Sequence, residues 1–176
     1  MTRVTRLTIA TGLALAITGV AARLTAEDSA QVVQVRDDCD PATFNAGPPD
    51  GPGLGHICDG DGGTTFGEFI AELQATQVAE KWRFNPDRMS EPRNIVAQNR
   101  GGETHSFTKV KQFGGGQVDV LNALSGNPVP APECLLPSVG PTFLGPGESH
   151  AVGGVMGGDK FQCCIHPWMR TTVRKR

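Results

Sequence analysis

The chain has 176 residues, 38% of them hydrophobic and 19% charged, with 16 Lys and Arg against 18 Asp and Glu. That length suits one domain with additions, and the slightly acidic balance excludes the basic surface that nucleic acid selects. Glycine and proline number 23 and 13 and fall between short β-prone runs, the punctuation of an all-β domain with long loops.

In chain order, Arg3 and Arg6 precede an apolar run from Leu7 to Ala22, closed by small residues at Val20-Ala21-Ala22 or Leu24-Thr25-Ala26. The run is short for a span and ends in a cleavage signal, so residues 1–26 read as a secretory signal peptide, cut after Ala22 or Ala26. No stable membrane span is expected once it is removed. Cleavage takes Arg3, Arg6 and Arg23 and no acidic residue, leaving a net charge of about −5 with His neutral. The exported chain is expected in the periplasm or outside the cell, where disulfides persist.

Residues 27–77 read as an extension. Gln31 to Val35 is a first strand or lead-in, and Asp37 to Gly63 is dense in Gly and Pro and poor in large apolar residues. Such a stretch cannot build a core, so a Cys39–Cys58 bridge is expected to tie it down. Thr65 and Glu68 have capping-box spacing, and Phe66, Phe69, Ile70 and Leu73 repeat at helical intervals. One short helix over Thr65–Gln74 follows, its apolar stripe covering one end of the main domain.

Residues 78–176 carry strand periodicity. Val78, Trp82 and Phe84 are expected on one face of a first strand, and Ile95–Asn99 and Thr104–Val110 flank a turn at Arg100-Gly101-Gly102. Gly114–Gly116 and Asn127–Pro141 read as loops, and Ser149–Val155, Lys160–Cys164 and Met169–Val173 as late strands. Short strands separated by turn residues predict a β-sandwich or small barrel.

The last loop carries the chemistry. Cys163, His166 and Met169 place a thiolate, an imidazole and a thioether three residues apart. Soft sulfur plus imidazole suits copper, and a His₂Cys site with a weak axial Met is the blue-copper electron-transfer arrangement. The second imidazole is expected from His105, in Gly101-Gly102-Glu103-Thr104-His105-Ser106-Phe107. Strand alternation puts Phe161 and Cys163 on one face, with Gln162 and Cys164 on the other. Cys163 then faces the core, and Cys164 is left to bridge with Cys134. Of five cysteines, an odd one remains for a metal. Trp168 adjoins His166, whose outer ring edge is a natural electron exit and, with an apolar rim, a docking point. His56 and His150 read as structural or solvated.

These residues resemble the cupredoxins, the plastocyanin, amicyanin and azurin group of small copper proteins. The loop is similar to the amicyanin-like C-x-x-H-x-x-M, matched by Cys163, His166 and Met169, and Asn99 lies six positions before His105 as in that pattern. The resemblance covers roughly Val78 to Arg176. It implies a Greek-key β-barrel, one mononuclear copper ion held by His105, Cys163, His166 and Met169, and single-electron relay between a redox-protein donor and acceptor. It also implies that Asn99 braces the cysteine loop from behind the ligands, a role for which Ser106 is the weaker choice. Cys164 stands where the family usually has Thr or Ser, and Ser106 where Asn is common.

Two other functions use the same ligands. A copper carrier or buffer would hand over the ion itself, and a copper oxidoreductase would need a second copper and a second such domain. Structural zinc wants four firm Cys or His ligands. The glycine-rich stretches Gly60–Gly63 and Gly114–Gly116 lack a phosphate-loop lysine. Neither a general acid nor a nucleophile stands out, so no enzymatic activity is expected.

Overall fold

The computed structural model describes residues 30–90 and 92–175; the predicted signal peptide lies outside them. Val33 and Val35 alternate with the outward-facing Val32, Gln34 and Arg36 along β1 (Gln31–Arg36) and are fully buried. The sequence assigns this run to the extension, yet β1 sits inside a sheet. It pairs in parallel with β4 (Asn94–Asn99) and antiparallel with β2 (Arg83–Asn85), while β8 (Ser149–Gly153) closes the far edge of β4. A second four-stranded sheet runs β3 (Arg88–Met89), β10 (Arg170–Val173), β9 (Lys160–Gln162) and β6 (Thr108–Val110).

Residues of both sheets share one core: Val35, Phe84 and Ile95 from the first join Met89, Phe161 and Val173 from the second. Phe107 lies between them, stacked on Phe161 at 4.6 Å and edge-on to Phe84 at 5.2 Å. Burying each such side chain contributes about 1.5–3 kcal/mol. The molecule is mostly β, with two mixed sheets that do not close into a barrel, an arrangement consistent with a β-sandwich.

The run Thr104–Val110 does not form one strand. β5 (His105–Ser106) pairs with β7 (Phe143–Leu144), whereas β6 pairs with β9. The chain changes partner at Phe107, whose N–H donates to the Thr142 carbonyl and whose ring enters the core. The expected Val78–Phe84 strand is also shorter, because Gln77 takes a left-handed φ of 63° and Val78 is exposed. Only Arg83–Asn85 remains extended.

Three α-helices occur among the described residues, where the sequence predicted one helix. The expected one is α2 (Phe66–Thr76), which follows α1 (Pro41–Phe44) and precedes α3 (Asp119–Leu124). Thr65 and Glu68 form the full capping box at the α2 N-terminus. Asp40 caps α1 through the Ala42 N–H, with Pro41 in the first turn, where its missing N–H costs nothing. Phe44 on α1 packs against Phe66, Phe69 and Trp82.

Both expected disulfides are present, Cys39–Cys58 and Cys134–Cys164. The second lies in a small cluster with Val110, Ala131 and Val139. Two disulfides indicate an oxidising, extracytoplasmic environment. Among the described residues no helix is long and apolar enough to cross a membrane.

Candidate metal centre

β5 supplies His105, and the connection from β9 to β10 supplies the other predicted ligands. That connection folds back on itself: the Cys163 N–H donates to the Met169 carbonyl at 3.0 Å, and the Met169 N–H donates to the His166 carbonyl at 2.9 Å. Cys163 is the free cysteine, and its partner in sequence, Cys164, points away into its disulfide.

His105, Cys163 and His166 converge. Cys163 Sγ lies 3.8 Å from His105 Nδ1 and 3.9 Å from His166 Nδ1, and the two Nδ1 atoms are 3.2 Å apart. A circle through these three atoms has a radius of about 2.1 Å, against metal–nitrogen bonds of about 2.0–2.1 Å and metal–sulfur bonds of about 2.3 Å. One ion fits at the centre of the triangle. His105 and Cys163 are 0% exposed, Met169 1% and His166 2%. This buried His–Cys–His group can bind a metal ion.

The side chains of this group are oriented by their surroundings. His105 Nε2 donates to Asp37 Oδ2 at 2.8 Å, which leaves Nδ1 facing the centre. The same carboxylate accepts the N–H groups of Cys39, Gly102 and Glu103. A hydrogen bond from the outer nitrogen fixes the tautomer and ring orientation of a ligating histidine. Around the sulfur, Cys163 Sγ accepts weak bonds from the N–H groups of Ser106, Ile165 and His166 at 3.4, 3.4 and 3.5 Å. Glu103 accepts from Trp82 Nε1, and its Oε2 lies 3.7 Å from His166 Nε2.

The electrostatics follow from this enclosure. Burial alone would raise the Asp37 carboxyl, but His105 and two backbone N–H groups bring it down to about 2. Burial disfavours a charged His105, yet the Asp37 and Cys163 partners push it up to about 10. Burial likewise opposes a Cys163 thiolate, and the two histidines hold the thiol well below its usual value. For Glu103 burial dominates and raises the carboxyl, against the opposing pull of His166 and His105.

Asn99 does not brace the cysteine loop through its hydrogen bonds. Its Nδ2 donates to the Glu103 and Leu144 carbonyls, and its Oδ1 accepts from the Gly101 N–H. It shapes the turn leading into His105, because its position at the end of β4 faces that turn. Ser106 reaches the cysteine side, its Oγ accepting from the Cys164 N–H at 2.7 Å.

The outer edge of His166 is covered rather than exposed. Phe69 of α2 and Trp168 flank its ring edge-on at 6.3 and 5.4 Å, so the extension closes over the position expected to open to partners. Trp168 itself is partly exposed and donates to the Ala79 carbonyl. His56 is exposed beside Asp59, and His150 lies on the edge strand β8. Neither belongs to the centre.

Sequence reasoning missed Asp37 and Glu103. Glu103 had a local signal, being two residues from His105. Asp37 had none, since it meets His105 only when β1 pairs with β4. No protein-family model matches this chain, and no curated protein matches it in sequence.

Proposed function

We propose that this is an exported blue-copper protein of Greek-key cupredoxin type, residing in the periplasm or secreted, that relays single electrons between a redox-protein donor and acceptor. The observation that carries this reading is the buried triangle of two imidazole nitrogens and one sulfur sized for a single ion. His105, Cys163 and His166, together with Met169, would hold a copper ion, which would supply a one-electron store by alternating between Cu(I) and Cu(II).

The chain's own residues do the rest. Asp37 holds His105 with Nδ1 inward. The N–H groups of Ser106, Ile165 and His166 favour the thiolate, and hydrogen bonds to a ligating sulfur tune its potential. The disulfide of Cys164 with Cys134 anchors the cysteine loop from behind. Burial of every ligand excludes water and limits rearrangement, which favours retention of the ion over delivery and so electron relay over copper carriage. With His166 covered, Trp168 links its ring to the surface.

Electron paramagnetic resonance of the oxidised, copper-loaded protein tests the assignment. One copper per chain with the narrow parallel hyperfine splitting of a thiolate-bound type 1 site is expected. The wide splitting of a tetragonal nitrogen–oxygen site would overturn it.

A further inference from the structure

Between the disulfide-tied segment and the strand loops lies a cavity of about 380 Å³. Small-molecule sites typically measure about 300–1,000 Å³ and are mostly apolar with a few placed polar groups. Phe44, Phe66 and Phe69 form one side of this cavity, with Leu121 and Ile165 also in its lining. Glu103 and His166 contribute buried polar surface and His56, Asp59 and Thr104 polar surface nearer the mouth, while the exposed side chains of Leu54 and Val120 extend the apolar lining. Nothing in the metal-binding geometry requires this space.

The chemistry of the lining selects the occupant. Three phenyl rings suit a flat apolar body, which gains from edge and offset ring contacts. Glu103 is the buried carboxyl of the lining, with one oxygen engaged by Trp82, whereas Asp59 is exposed and paired with His56. An anion would meet a carboxyl group, and an entirely apolar molecule would cover its second oxygen without offering a hydrogen bond. A hydroxyl serves Glu103 in either protonation state, because it both donates and accepts.

We propose that this cavity binds a small hydroxyarene, its ring against the wall formed by Phe44, Phe66 and Phe69 and its hydroxyl on Glu103. The occupant would lie against the covered edge of His166. This inference goes beyond electron relay and does not depend on which metal fills the centre.

The test titrates the purified full chain, in a diamagnetic state, with 2-naphthol and with naphthalene as the hydroxyl-free control, followed by NMR. Saturable shifts confined to the resonances of the three phenyl rings, Ile165 and His166 are expected for 2-naphthol. Naphthalene should bind at least about tenfold more weakly, the loss of one buried hydrogen bond. Ile70→Trp, which narrows the cavity from α2, should weaken 2-naphthol by at least about tenfold as well. Leu121→Trp gives the same reading from α3 if the first variant does not fold. No saturation, shifts spread beyond the cavity, equal affinity for both probes, or indifference to a folded narrowing variant would each overturn the proposal. So would contacts from residues 1–29 to Phe66, which would give the space to the chain's own leading segment.

Discussion

His105 stands between two acidic partners, Asp37 at Nε2 and Cys163 at Nδ1, and is held protonated up to about pH 10 in the metal-free chain. The proton on Nδ1 occupies the position a metal ion needs, so the two compete. Between pH 7 and 9, loading should release about one proton from His105, and apparent affinity should rise about tenfold per pH unit. Cys163 adds nothing to that slope, because its thiol is already held well below its usual value. Chelator competition across this range, with proton release in weak buffer, measures the effect; a flat profile contradicts it. Asp37→Asn keeps the shape but removes the charge and the strongest acceptor for His105. Measured at about pH 10 and above, where His105 has largely lost its competing proton, metal affinity should fall about 10–100-fold, the usual cost of losing an orienting partner. Of the His–Cys–His group, Cys163 and His166 were legible because they lie three residues apart in one loop. Asp37, 68 residues before His105, was not, since only tertiary pairing brings it there.

At the scale of elements, the connection from β9 to β10 assigns opposite duties to adjacent cysteines. Cys163→Ser should abolish the visible thiolate-to-copper band, while Cys164→Ser should keep it and lose about 3 kcal/mol of stability with the Cys134 bridge. Absorbance and urea unfolding read the two outcomes separately; bleaching by Cys164→Ser alone would reverse the assignment. The face of each cysteine was readable from strand alternation starting at Phe161. α2 was equally readable, because a capping box and two turns of apolar period coincide there. α1 and α3, of four and six residues, are too short to display such a period. The split of β5 from β6 was hidden for another reason. A period of two announces a strand but does not name its neighbour, and Phe107 marks a change of neighbour without breaking the pattern.

For the whole molecule, the centre draws one residue set from each of three sheets. His105 belongs to the small β5–β7 pair, Cys163 and His166 to the connection within the second sheet, and Asp37 to the chain leaving β1 of the first. An ion bound there holds all three sheets together and has no such site in the unfolded chain. Binding therefore transfers directly into stability, by about 4 kcal/mol at a free metal concentration a thousandfold above Kd. In a chain of this size each kcal/mol moves Tm by about 2–4 °C, so a rise of roughly 8–16 °C is expected. Calorimetry of wild type and Cys163→Ser, each with and without copper, separates this from non-specific effects. The variant keeps both disulfides and all other core residues, so its metal-free Tm should remain measurable while most of the metal-dependent rise disappears. An equal rise in both proteins would place the ion away from the triangle of His105, Cys163 and His166.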